Sequence, residues 1–153
     1  MSNMRIMGID YGEARVGIAI SDELRITAQG LETINHNGND KKLLARLDEI
    51  IQKFPIDTIV VGMPILLNGD KSKRAEVTEK FIHKLKCKYN KIKICTEDER
   101  LTTVQAHKTM NDLSINKKKK RGLIDTISAV YILETYMNKI SWNLYWKIYW
   151  YVL

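Results

Sequence analysis

The chain has 153 residues, 44% of them hydrophobic and 28% charged, with 25 Lys and Arg against 18 Asp and Glu for a net charge of +7. A chain of this length buries roughly 70% of the surface its unfolded form exposes, so one core suffices and wholesale disorder is excluded. The positive balance favours polyanionic partners, nucleic acid before an anionic membrane surface. Cys87 and Cys95 stand in no CxxC or Cys/His spacing, which argues against structural zinc. With no export signal ahead of Asp10, the expected compartment is the reducing cytoplasm. All three tryptophans (Trp142, Trp146, Trp150) and three tyrosines (Tyr145, Tyr149, Tyr151) crowd into the last dozen residues.

Arg5 to Asp10 reads as a buried strand ending on an acid, and Tyr11-Gly12-Glu13-Ala14 supplies a turn into a second strand, Arg15 to Ile20. Ile26 to Ile34 is a weaker third strand. After the polar loop His36 to Asp40, Leu43, Leu44, Leu47, Ile50 and Ile51 recur at helical spacing until Pro55. Asp57 to Gly62 is a β-branched run suited to a strand covered on both faces, and a loop with Asn68-Gly69 leads to a helix over Ala75 to Lys88. Lys91 to Cys95 alternates as a strand and runs into the polar cluster Thr96 to Arg100. A short helix from Thr102-Thr103 to about Asp112, the basic run Lys117 to Arg121, and an apolar helix from Gly122 to Met137 complete the body. Three strands joined by hairpins and two reached by helical crossovers predict an α/β fold: a mixed five-stranded sheet with helices on both faces.

Three acidic positions stand where this pattern would bury them: Asp10, the pair Asp98 and Glu99, and Asp125. A buried unpaired carboxylate is costly or neutralises, so acids kept there need cations. Mg²⁺ or Mn²⁺ suits converging carboxylates, and two such ions about 3.5–4 Å apart serve phosphodiester hydrolysis. Asp10 also suits a turn, and Asp125 the first turn of a helix, where the macrodipole favours any acid. Of Asp98 and Glu99, neighbours on a strand, one alone can share a face with Asp10.

The stretch Ile9-Asp-Tyr-Gly-Glu-Ala-Arg-Val-Gly-Ile-Ala-Ile-Ser-Asp22 resembles the YqgF family, to which pre-16S rRNA nuclease and Holliday junction resolvase activities are ascribed. The likeness recurs at Val61-Gly-Met-Pro64, at Asp98-Glu-Arg-Leu-Thr-Thr103 with Ala106, and at Ile124-Asp125 with Ala129, Ile132, Leu133 and Tyr136. The resemblance implies an RNase H-like fold over residues 1–138 and a metal site made by Asp10, Glu99 and Asp125, with Asp98 as substitute. Gly12 and Gly17 match family glycines and suit close approach to substrate or a tight turn. Leu66 stands where the family tends to have asparagine.

Arg100, Arg15 and the run Lys118, Lys119, Lys120 and Arg121 are candidate phosphate contacts, which Lys71, Lys73 and Arg74 extend. His36, His83 and His107 are scattered and read as structural. The expected activity is metal-dependent endonucleolytic cleavage of structured nucleic acid, with precursor rRNA ahead of four-way DNA and a monomer or homodimer as the working unit. A nucleotide-binding ATPase or a non-catalytic binding module stands as the alternative class. Residues 139–153 form an aromatic extension outside the likeness, too short to span a bilayer and expected to pack on this domain or on a second copy.

Overall fold

The computed structural model describes residues 3–65, 68, 70–99 and 117–152, with the backbone alone for 117–121. Strands β1 (Arg5–Tyr11), β2 (Arg15–Ser21) and β3 (Ala28–Asn35) form an antiparallel meander. Helix α1 (Asp40–Lys53) leads to β4 (Ile56–Met63), and helix α2 (Lys73–Lys88) to β5 (Lys93–Asp98). Both of these strands run parallel to β1, giving the order β3-β2-β1-β4-β5. Helix α3 (Lys117–Val152) follows. The expected short helix near Thr102, the Leu66 position and Arg100 lie outside the described residues.

Alternation along the strands divides the core in two. Met7, Ile9, Val16, Ile18, Ile59 and Val61 point to one face and meet Leu43, Leu47, Phe81 and Leu85 of α1 and α2. Each such side chain contributes about 1.5–3 kcal/mol on burial. Asn39 and Ser72 cap these helices, their side chains accepting from Lys42 N and Ala75 N.

The opposite face carries small residues, and α3 lies on it. A Cβ at Gly17 would stand 2.0 Å from the Asp125 carbonyl oxygen, one at Gly8 2.8 Å from that of Ala129, and one at Gly30 2.2 Å from Thr126 Cγ2. Gly8, Gly17 and Gly30 thus form a lane across three strands, the first two admitting the helix backbone and the third the Thr126 side chain, and Ala129, Ile132, Leu133 and Met137 pack beside it onto Ile6, Ala19 and Val60. The close approach foreseen for Gly17 is therefore to α3 rather than to substrate.

Three boundaries differ from the sequence expectation. The third strand starts at Ala28 because the Asp22 carboxylate accepts from the backbone N–H groups of Leu24, Ile26 and Thr27, holding 22–27 as a turn. Strand β5 does not stop at Cys95: Thr96, Glu97 and Asp98 continue the parallel ladder opposite Val61, Gly62 and Met63, since backbone pairing is indifferent to side-chain polarity. Helix α3 takes in both the basic run and the aromatic segment, because no proline interrupts it and Gly122 is a tolerable cost of about 1 kcal/mol.

Gly17→Ala is expected to destabilise by about 2–4 kcal/mol, as overpacking against backbone does, in urea unfolding. Gly122→Ala, whose new methyl would meet nothing nearer than Thr33 at 3.8 Å, should stabilise by about 0.5–1 kcal/mol. Equal effects of the two would contradict the packing lane.

Candidate active site

Even-numbered residues of β1 face α3, so the strand that buries Ile6 and Gly8 beneath the helix also delivers Asp10 there, 7% exposed. On β5, Cys95 packs toward the same cluster and Glu97 ion-pairs with Lys139 of α3. Two residues on, Glu99 is 5% exposed, and its backbone N–H donates to Met63 O at 3.2 Å. Strand alternation thus separates Glu99 from Asp98, which is half-buried and registers with Met63.

Asp10 and Glu99 are hydrogen-bonded to each other. Burial raises the Asp10 carboxyl to about 6; Arg74 opposes the rise, Asp125 adds to it, and the bond from Glu99 opposes it. Burial raises Glu99 further, to about 8, with the neighbouring Asp10 charge as second cause. One proton held on Glu99 and donated to Asp10 accounts for both directions.

Asp125 lies in the third turn of α3 rather than its first, so the helix dipole does not explain it. Its Oδ2 accepts from Arg15 Nε at 2.7 Å. The helix is fixed there by Thr33, whose hydroxyl donates to Gly122 O at 2.6 Å and lies 2.8 Å from the Thr126 hydroxyl. Arg74, in the first turn of α2, reaches over the carboxyl end of β1 to Asp10 Oδ1 and Tyr11 O, each at 3.4 Å, and to Glu99 Oε1 at 3.9 Å. Its sequence position suggested a peripheral patch; the fold sets it between two site acids.

Among the described residues no three His, Cys, Asp or Glu side chains form a ready-made metal cluster. Asp10 and Glu99 come together, while Asp125, close enough to raise Asp10, is turned to Arg15. The donor chemistry nevertheless fits a hard divalent ion, which prefers carboxylate oxygen and would replace the shared proton.

The other candidates divide. Gly12 serves the β1–β2 turn, where a Cβ would stand 2.6 Å from Arg15 O, and its carbonyl lies 2.7 Å from His36 Nε2. Buried His36 therefore braces the turn beside Asp10, as Asn37 and Gly38 do through backbone bonds to Ala14 and Glu13. Lys118, Lys119, Lys120 and Arg121 do not precede the helix bearing Asp125 but belong to it.

A mixed sheet flanked by helices, with buried acids between it and its last helix, defines an RNase H-like α/β protein. The family description "RuvX: Holliday junction resolvase" matches residues 4–139, and the chain belongs to that family. It is 51% identical over 140 residues to a "Putative pre-16S rRNA nuclease" of Ruminiclostridium cellulolyticum, covering 92% of this chain and 98% of that one. A relative of the same name from Acetivibrio thermocellus is 44% identical over 135 residues, covering 88% and 96%. Among solved structures, the fowlpox virus Holliday junction resolvase aligns with a TM-score of 0.59 at 16% identity, covering 90% of this chain and 99% of its own. Thermus thermophilus RuvC in complex with a Holliday junction substrate aligns with 0.55 at 12% identity, covering 90% and 96%; these two likenesses establish the fold.

The raised carboxyls have a consequence for stability. Each binds its proton more tightly in the folded chain than in the unfolded one, so its contribution is complete below about pH 4 and lost as pH rises through about 6 for Asp10 and about 8 for Glu99. In chelator, the melting temperature should fall between pH 5 and 9. Asp10→Asn and Glu99→Gln should each flatten that fall and melt ~2–8 °C above wild type at pH 8.5, as 1–2 kcal/mol does in a domain of this size. Superimposable pH profiles would refute the coupled pair.

Proposed function

We propose that the chain is a divalent-metal-dependent endonuclease that matures the precursor of 16S rRNA in the cytoplasm. The observation that carries this reading is the buried Asp10–Glu99 pair with Asp125 beside it, in a chain whose relatives bear the pre-16S rRNA nuclease name. Asp10, Glu99 and Asp125 would hold Mg²⁺ or Mn²⁺, with Asp98 as the substitute ligand. When bound, the ion supplies charge stabilisation and an activated water at a phosphodiester.

The chain's own residues do the rest. Asp10 and Glu99 give up their shared proton as they take on full negative charge. Where an ion's charge balances the acids, Arg74, which faces Asp10 and Glu99, and Arg15, which faces Asp125, would be free to meet phosphate, and both are accessible enough to do so, with side chains 50% and 37% exposed. Gly12 keeps the turn beside Asp10 tight, leaving room for a substrate backbone. Lys118, Lys119, Lys120 and Arg121 load a helix start that lacks any acid, an arrangement opposed by the macrodipole and relieved by a bound phosphate. Arg100 completes the proposed contacts.

Four-way DNA is the second reading, favoured by the family's description as a Holliday junction resolvase. The nucleotide-binding ATPase reading needs two such domains, and the described residues form one sheet. The deciding assay compares precursor rRNA with a four-way DNA junction in Mg²⁺ or Mn²⁺. Wild type should cut the RNA, whereas Asp10→Asn and Glu99→Gln should bind it and cut at background. Cutting of the junction alone would transfer the assignment to resolution, and wild-type rates in either variant would remove these acids from the site.

Replacing Lys118, Lys119 and Lys120 with alanine should weaken binding and reduce the slope of log affinity against log salt by about 2–3, nearly one for each lost phosphate contact. An unchanged slope would dismiss the basic turn.

A further inference from the structure

We propose that the last turns of α3 are a self-association surface whose occupant is the same segment of a second copy of this chain. Every described residue from Asn138 to Val152 is exposed, so of the two packings expected from the sequence, on this domain or on a second copy, the segment does not make the first. From Ile140 on it stands beyond residues 4–139, the part matched by the family, and so needs an explanation of its own.

Its side chains make one continuous aromatic surface. Trp142 meets Tyr145 edge-on with centroids 6.4 Å apart, Tyr145 stacks on Tyr149 at 6.4 Å, and Trp146 meets Tyr149 edge-on at 5.8 Å. Trp142, Tyr145, Tyr149 and Val152 fall at alternating spacings of three and four, the seam along which two helices pair. Leu144 and Ile148 flank it, also more than half exposed. A helix apolar over most of its circumference is ordinarily a buried one.

Area and charge select the partner. Tyr and Trp side chains each carry roughly 150–250 Å², so Trp142, Tyr145, Trp146 and Tyr149, about half exposed or more, together with Ile148 and Val152 beside them, offer ~600 Å² per helix, and two copies would bury ~1,200 Å², the lower limit for a specific stable interface. Between Ile140 and Val152 there is no acid and a single cation, Lys147. Identical copies can therefore meet without like-charge repulsion, as a two-fold interface requires. The same neutrality disfavours a lipid surface, which takes helices with a Lys/Arg-rich polar face, and single-stranded nucleic acid, whose stacking platforms lie in positive grooves. Among the described residues no helix is long and apolar enough to cross a membrane.

All three tryptophans of the chain lie in this segment, so intrinsic tryptophan fluorescence reports on it alone. Full-length protein should show an emission blue shift with rising concentration in the micromolar range, coincident with doubling of mass in sedimentation equilibrium. Trp142→Ser with Tyr145→Ser and Tyr149→Ser should remain at the monomer mass with the wild-type circular dichroism spectrum, its remaining tryptophans staying red-emitting at every concentration. A monomer mass for wild type up to 100 µM would overturn the proposal, as would a dimer that survives the triple substitution. A blue shift elicited by phosphatidylcholine–phosphatidylglycerol vesicles or by single-stranded RNA while the protein stays monomeric would overturn it in favour of that partner.

Discussion

The contact on which the rest of the structure depends is that between the backbone of α3 and the glycine lane of the sheet. Gly17 lies so close beneath the Asp125 carbonyl that no side chain fits, Gly8 repeats the approach beneath the Ala129 carbonyl, and Gly30 leaves room for the Thr126 side chain. The lane fixes the height of the helix over the sheet, and Thr33 and Thr126 fix its position along it. Asp125 is thereby brought near enough to Asp10 to affect its ionisation, although 115 positions separate them in sequence. Packing and chemistry thus share one cause: residues chosen for having no side chain decide where the charged ones meet.

The outcome is a site under electrostatic tension. Asp10 and Glu99 are buried together, burial raises both carboxyls, and half-exposed Arg74 does not bring them back to the ordinary range. Asp125 is satisfied separately by Arg15. Burying two carboxyls this close together costs stability, and Arg74 and Arg15 are the counter-charges that face the acids. Ion pairs whose arginine is this exposed contribute little net stability, so the acids are not held in place by them.

The sequence made the fold legible where periodicity was strong. The hairpin of β1 and β2, the two crossover helices and the apolar run of β4 all stand within a few residues of their expected places. Asp10 was legible because an apolar strand that ends on an acid is a local anomaly. Glu99 was not separable from Asp98, because the polar residues after Cys95 hid the true length of β5; once the ladder is seen to reach Asp98, alternation from Cys95 through Glu97 assigns the face. Arg74 could not be read at all as a member of the acidic site. It belongs to a helix on the opposite face, and its reach depends on how the loop after β4 delivers the start of α2. Gly17 read as a turn or substrate residue, and Gly8 and Gly30 drew no notice, because their spacing on separate strands becomes a lane only when the strands pair.

Helix α3 joins two environments that the composition averages together. Its middle is closely packed, with Ala129, Ile132 and Leu133 fully buried and Met137 nearly so. Beyond Met137 the same helix is wholly exposed and mostly apolar. The pair between Lys139 and buried Glu97 marks the boundary, tying the helix to β5 just before the aromatic turns begin. Any force applied to those turns by a partner reaches this anchor and the buried residues behind it before it reaches Asp125. Because close-packed interiors resist continuous deformation, the aromatic turns can gain or lose a partner while the acids keep their positions, and an added surface of this kind can be carried by a nuclease domain without altering its chemistry.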